Sequence, residues 1–144
     1  MPTVRRQRAL SASPETVWRV VGDPQHLPRW WPRVERVEDD DGEAFTELLR
    51  SERGRAVRAD FRRAGGEAGA WTAWEQILEG TPFERLLREA STRVDLAPAA
   101  GGTEVTLTLT QRLRGFSRFA PWLFRRAARR QLDEALDGLE LACG

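Results

Sequence analysis

The chain has no lysine and no tyrosine, one cysteine and one histidine, and no apolar run long enough to cross a bilayer. Each absence excludes something. Cys143 has no partner for an internal disulfide. With His26 and Cys143 far apart in the sequence, no zinc-type cluster of soft ligands can be assembled. The acidic run "EDDDGE" (38–43) lacks the ligand spacing of a calcium loop and reads as a hairpin turn. Without tyrosine, no phenol is available as acid or base. There is no phosphate-cradling "GxxxxGK[ST]", no "GxGxxG" after a strand and no "GxSxG" elbow. No metal, no cofactor and no assigned catalytic residue are therefore expected. "MPTVRRQRAL" has arginines but no apolar h-region after them, so no secretory signal is read and a cytoplasmic protein is expected.

All 23 basic residues are arginine, and with abundant Ala, Gly and Asp this bias looks like a GC-rich coding sequence. The net charge of +1 gives no global attraction to nucleic acid. The distribution is less even: seven arginines and no acid lie between Val105 and Leu132, while acids cluster from Glu35 to Glu47. No repeat, low-complexity tract or linker divides the chain, so a single domain over 1–144 is expected.

"TVRRQRAL" (3–10) reads as a first strand. Ser13 as N-cap, Pro14 at the first helical position and Glu15 in the first turn then start a helix that Gly22 ends. Asp23 and Pro24 repeat the signal for a second helix, which Pro28 limits to a turn or two. From Val34 the period becomes two. Strands are expected at 34–38, 43–52, 55–63, 70–79, 84–98 and 103–113, separated by turn signals at 39–42, 52–54, 64–69, 80–83 and 98–102. Links this short favour consecutive antiparallel hairpins. The last strand is the clearest, with Val105, Leu107, Leu109 and Leu113 on one face and Glu104, Thr106, Thr108, Thr110 and Arg112 on the other. "SRFAPWLFRRAARRQLDEALDGLELAC" (117–143) closes the chain as a helix of roughly six turns. Its apolar stripe is Ala128, Leu132, Ala135, Leu136, Leu139 and Cys143, and Pro121 fits only near its beginning.

This order, headed by "SASPETVWRVVGDPQHLPRWWPRVERVE" and completed by "GGTEVTLTLTQRL" and "RRQLDEALDGLE", resembles the START-like superfamily of polyketide cyclases and lipid-transfer proteins (SRPBCC). The resemblance implies an α+β helix-grip fold: a curved seven-stranded antiparallel sheet around a long C-terminal helix, with two short helices after the first strand, enclosing a cavity. It also implies a small hydrophobic partner, such as a lipid, a polyketide-like compound or an aromatic metabolite. Two alternatives stay open: a cyclase/dehydrase-type enzyme, and a protein-interaction module with a vestigial cavity.

In that frame Trp30 and Trp31, set between Pro28 and Pro32, are expected to close one end of the cavity. Strand parity brings Phe61, Trp74, Gln76, Leu107 and Gln111 inward. Unbroken alternation places Arg88 inward with Leu86 and Ala90, which demands a carboxylate, water or an anionic ligand group beside it. In the enzymatic alternative, Arg88 with Gln76 or Gln111 would polarise a carbonyl. Glu47 shares a face with Phe45 and Leu49 but is set aside because Leu48 lies opposite. His26 reads as a surface or capping side chain. The aromatic and arginine-rich segment 112–130 could contact a membrane surface or stack on bases, but its rings are better read as the cavity mouth, with Phe119 and Trp122 as ligand-binding candidates. Neither nucleic-acid binding nor stable membrane insertion is expected, and a monomer or homodimer fits equally.

Overall fold

The computed structural model describes residues 3–51 and 53–144; Glu52, at the end of one expected strand and the start of one expected turn, lies outside them. β1 (Thr3–Leu10) leads into α1 (Pro14–Val21) and a 3-10 turn (Pro24–His26) that continues as the single turn α2 (Leu27–Trp30). The start signals act as read. The Ser13 hydroxyl accepts from the Thr16 amide at 3.3 Å, and the Asp23 carboxylate accepts from the Gln25 amide at 3.0 Å. β2 (Val34–Glu38), β3 (Ala44–Arg50), β4 (Ala56–Glu67), β5 (Trp71–Ile77), β6 (Leu87–Ala99) and β7 (Gly102–Leu113) follow, and α3 (Pro121–Cys143) ends the chain.

The seven strands form one antiparallel sheet in the order β1-β7-β6-β5-β4-β3-β2. Neighbours in sequence pair as hairpins, and β1 alone crosses over to pair with β7, Val4 standing opposite Leu109. Three register shifts, in β2, β4 and β6, add local twist and help the sheet curl. The second of these extends β4 beyond its expected end. Gly65, at φ +149°, carries the strand past the shift, with the Trp71 ring so close that a side chain at 65 would collide with it. Residues 82–85 form a 3-10 segment that spans the end of the expected turn and the first two residues of the expected strand at 84–98, and residues 115–119 form another that takes the first three residues of the helix expected from 117.

α3 lies in the concave face. Its stripe of Ala128, Leu132, Ala135, Leu136 and Leu139 is buried against inward residues of the sheet, among them Val94, Val105 and Leu107, all without solvent contact. Each fully buried Leu or Val contributes roughly 1.5–3 kcal/mol of transfer free energy. Ion pairs from β1 flank this seam: Arg8 reaches Asp137 at 2.6 Å and Glu140 at 3.4 Å, and Arg6 reaches Asp133 at 3.3 Å. Gly138 is where α3 crosses α2, and a Cβ there would sit 2.4 Å from the Trp30 carbonyl oxygen. The helix grips along its second half. Its first two turns run past the body of the sheet and stay largely exposed.

Candidate functional site

Between α3 and the middle of the sheet the interior is hollow, with a chamber of about 200 Å³. Its floor follows from the ladder. Trp74 of β5, Thr92 of β6 and Leu109 of β7 stand in one cross-strand row, and Gln111 faces Ala90 while Gln76 faces Phe61 beside it. Trp31 closes one end, packed edge-on against Trp74 with ring centroids 6.0 Å apart. Phe83 and Leu87 border the chamber near the start of β6, and Gln131 reaches in from α3.

Among these apolar walls is a carboxyl group. Glu47 of β3 is 2% exposed and lines the chamber. No hydrogen bond or ion pair reaches its side chain among the described residues, and the same holds for the side-chain amides of Gln76, Gln111 and Gln131. Burial without a partner disfavours the carboxylate, so the pKa of Glu47 is pushed up to about 8. At neutral pH it is a neutral acid, able to donate a hydrogen bond. The chamber therefore presents one carboxylic acid and three primary amides to a small apolar volume.

Five of the sequence candidates meet here: Trp31, Phe61, Trp74, Gln76 and Gln111. The other five lie elsewhere. Trp30 is buried beneath α3, edge-on to Trp31 at 5.3 Å, and lines no chamber wall. Leu107 is fully enclosed in the packed part of the core. Arg88 is exposed rather than inward. The register shift between Leu87 and Glu89 puts Leu87 inside, turns Arg88 outward and restores the inward set at Ala90, so no buried cation has to be compensated. Phe119 and Trp122 do not form a mouth either; they project into solvent, because α3 begins before it reaches the sheet.

Glu47, set aside on the pattern of β3, is brought into the chamber wall on the face it shares with Phe45 and Leu49. Gln131, not among the sequence candidates, lies three residues after Ala128 and four before Ala135 on the buried side of α3. Phe83 sits in a 3-10 turn that carries no parity signal.

Two further hollows adjoin. One, of about 360 Å³, lies beyond Trp74 and Phe45 and is rimmed by Asp23, Asp40 and Arg63. Its acids are already engaged: Asp23 caps the 3-10 turn, and Asp40 accepts from Gln25 and from the Gly42 amide. The other is an outer groove of about 470 Å³ between Pro32–Arg33 and the start of α3, and Gln131 borders both it and the chamber. Among the described residues, no group of three or more His, Cys, Asp or Glu side chains is arranged to hold a metal ion. No helix among them is long and apolar enough to cross a membrane.

The sheet order, the gripping helix and the hollow between them agree with the comparison to known families, where the one described as polyketide cyclase / dehydrase and lipid transport matches residues 1–144. The chain belongs to that family. The protein Rv2574 of Mycobacterium tuberculosis is 30% identical over 127 residues, covering 81% of this chain and 69% of its own length. Among solved structures, the di-domain ARO/CYC protein StfQ from the steffimycin biosynthetic pathway superimposes with TM-score 0.79 at 14% identity over 98% of this chain. This chain spans half of that di-domain protein, 50% of its length. TTHA0849 from Thermus thermophilus gives TM-score 0.77 at 23% identity, covering 99% of this chain and 97% of its own. A START superfamily protein from Mycobacterium smegmatis gives 0.74 at 14%, covering 96% and 94%. At these identities the structural likeness is one of fold.

Proposed function

We propose that the protein binds a small, mostly apolar molecule carrying a carbonyl or similar hydrogen-bond acceptor, held in the chamber between β3–β7 and α3. The observation that carries this reading is Glu47, a buried acid with no protein partner, facing a cavity that three amides also face. An unpaired polar group in an apolar interior costs free energy, and a ligand acceptor would offset that cost. A cavity of about 150 Å³ is enough to admit a benzene ring, so a chamber of this size suits one or two fused rings or a short chain rather than a large lipid.

The test compares acetylnaphthalene with ethylnaphthalene, which share shape and differ in the carbonyl. The ketone is expected to bind several-fold more tightly, in line with about 0.5–1.5 kcal/mol for one hydrogen bond. Ala90→Phe, which fills the chamber from its floor, is expected to abolish both interactions. Equal affinities, or binding undiminished by Ala90→Phe, would overturn the assignment. Native mass spectrometry of freshly purified protein then identifies any co-purified guest.

The same carboxyl favours one second reading, the cyclase/dehydrase reaction that the family description names. In an aldol closure, an enol carbon bonds to a carbonyl carbon while the acid proton of Glu47 passes to the carbonyl oxygen and the enol hydroxyl proton returns to the Glu47 carboxylate, leaving a hydroxy ketone and the acid. In the dehydration, Glu47 gives its proton to the departing hydroxyl, which leaves as water, and the carboxylate takes the proton from the adjacent carbon as the double bond forms. A group titrating near neutral pH suits both steps. Glu47→Gln keeps a hydrogen-bond donor but no transferable acid proton, so it is expected to retain binding and lose turnover.

A further inference from the structure

We propose that the β7–α3 connection and the first turns of α3 dock this protein on the surface of an anionic lipid bilayer. Residues Gly115–Phe119 form a 3-10 segment. Three residues per turn align side chains three apart, so Phe116 and Phe119 point to the same side. They are 92% and 71% exposed, and Trp122 and Leu123, which follow at the start of α3, are 62% and 49% exposed. Large rings exposed together along one short stretch mark an interaction surface rather than ordinary surface composition.

Charge identifies the occupant. On the sheet and beside α3 many arginines are matched to acids, such as Arg8 with Asp137, Arg50 with Glu35, Arg62 with Glu75 and Arg93 with Asp95, while Arg5, Arg63 and Arg88 have no ion pair among the described residues. Around the rings, Arg118, Arg125, Arg126 and Arg129 have no ion pair among the described residues. Arg118 lies over the Phe119 ring at 5.1 Å. The acids that reach this region, Glu84 and Glu134, are already paired with Arg114 and Arg130. A strip of unpaired arginines around projecting Phe and Trp rings fits the headgroup zone of a negatively charged membrane, where rings enter the interface and guanidinium groups meet phosphate. Leu123 also borders the outer groove that shares Gln131 with the chamber, so a docked molecule would turn that groove toward the lipid. That last step rests on the ligand-binding reading; the docking does not.

The experiment is co-sedimentation of the full chain with phosphatidylcholine vesicles, with and without phosphatidylglycerol, at low and high salt. Sedimentation is expected only with the anionic vesicles and is expected to fall as salt screens the charges. Brominated lipid is expected to quench part of the tryptophan emission in the parent protein, and Trp122→Phe to remove that part. Neutralising Arg125, Arg126 and Arg129 to Gln is expected to weaken binding about fivefold for each arginine. Phe116→Ser with Phe119→Ser is expected to lose binding while leaving the circular dichroism spectrum and acetylnaphthalene affinity unchanged, which separates this surface from the chamber. Absence of sedimentation at low salt, or binding untouched by these variants, would overturn the proposal. So would binding to polyglutamate with anionic vesicles ignored, which would point to an acidic protein instead.

Discussion

Glu47→Gln isolates what the buried carboxyl does to stability. In the unfolded chain this group titrates near 4.5, and in the folded protein near 8, because the chamber wall deprives the carboxylate of water. Between those values the native state keeps a proton that the unfolded chain has released, so raising the pH favours unfolding across that window. Below about 4.5 both states are protonated and the effect vanishes; above about 8 both are ionised and the loss is complete. At about 1.36 kcal/mol per pKa unit, the full displacement sets a ceiling of about 5 kcal/mol, and water entering the chamber would reduce it. Glutamine has nearly the same shape and no titration. The expected outcome is equal stability of parent and variant near pH 4.5 and a growing advantage for the variant up to pH 8, reaching several kcal/mol. Urea unfolding followed by tryptophan emission, at half-unit pH steps, measures it. The difference between the two proteins cancels the contribution of the other carboxylates, such as Asp41, whose pKa is lowered by the Ala44 and Glu43 amides that bond to it. Parallel pH profiles for the two proteins would refute the reasoning, because they would mean that Glu47 is solvated or paired in solution.

Other outcomes follow from the packing. Gly138→Ala puts a methyl group against the Trp30 carbonyl oxygen, and forcing α3 away from α2 is expected to cost about 1–3 kcal/mol, read as a lower urea midpoint. Arg88→Leu, which would be drastic if the guanidinium faced the chamber, is expected to change stability by less than about 0.5 kcal/mol and to leave acetylnaphthalene affinity unaltered.

Where local chemistry decides the structure, the residues announce it. Ser13 and Asp23 cap as their neighbours require, and the alternation from Thr103 to Leu113 gives β7 and its faces directly. The stripe from Ala128 to Leu139 defines the buried side of α3. The misreadings have one physical origin each. Parity carries Arg88 inward only if β6 is regular, and the register shift belongs to the curl of the whole sheet, which no single strand encodes. The rings of Phe119 and Trp122 look like core by composition. Whether they become core depends on how far α3 overhangs the sheet, a property of tertiary placement. Glu47 is the instructive case. Phe45 and Leu49 share its face while Leu48 lies opposite, so the pattern of β3 leaves its inward side open; in the fold the Glu47 side faces in, and burial favours the neutral acid.

Trp74 lies on the boundary between the 200 Å³ chamber and the 360 Å³ hollow beyond, with Phe45 stacked on Phe61 beside it. On the ligand-binding reading, a guest longer than the inner space has two ways to extend, past Gln131 toward the outer groove or past this indole toward the second hollow. On that reading the Trp74 rotamer is one limit on guest length, and replacing its ring with a smaller side chain is expected to admit longer chains.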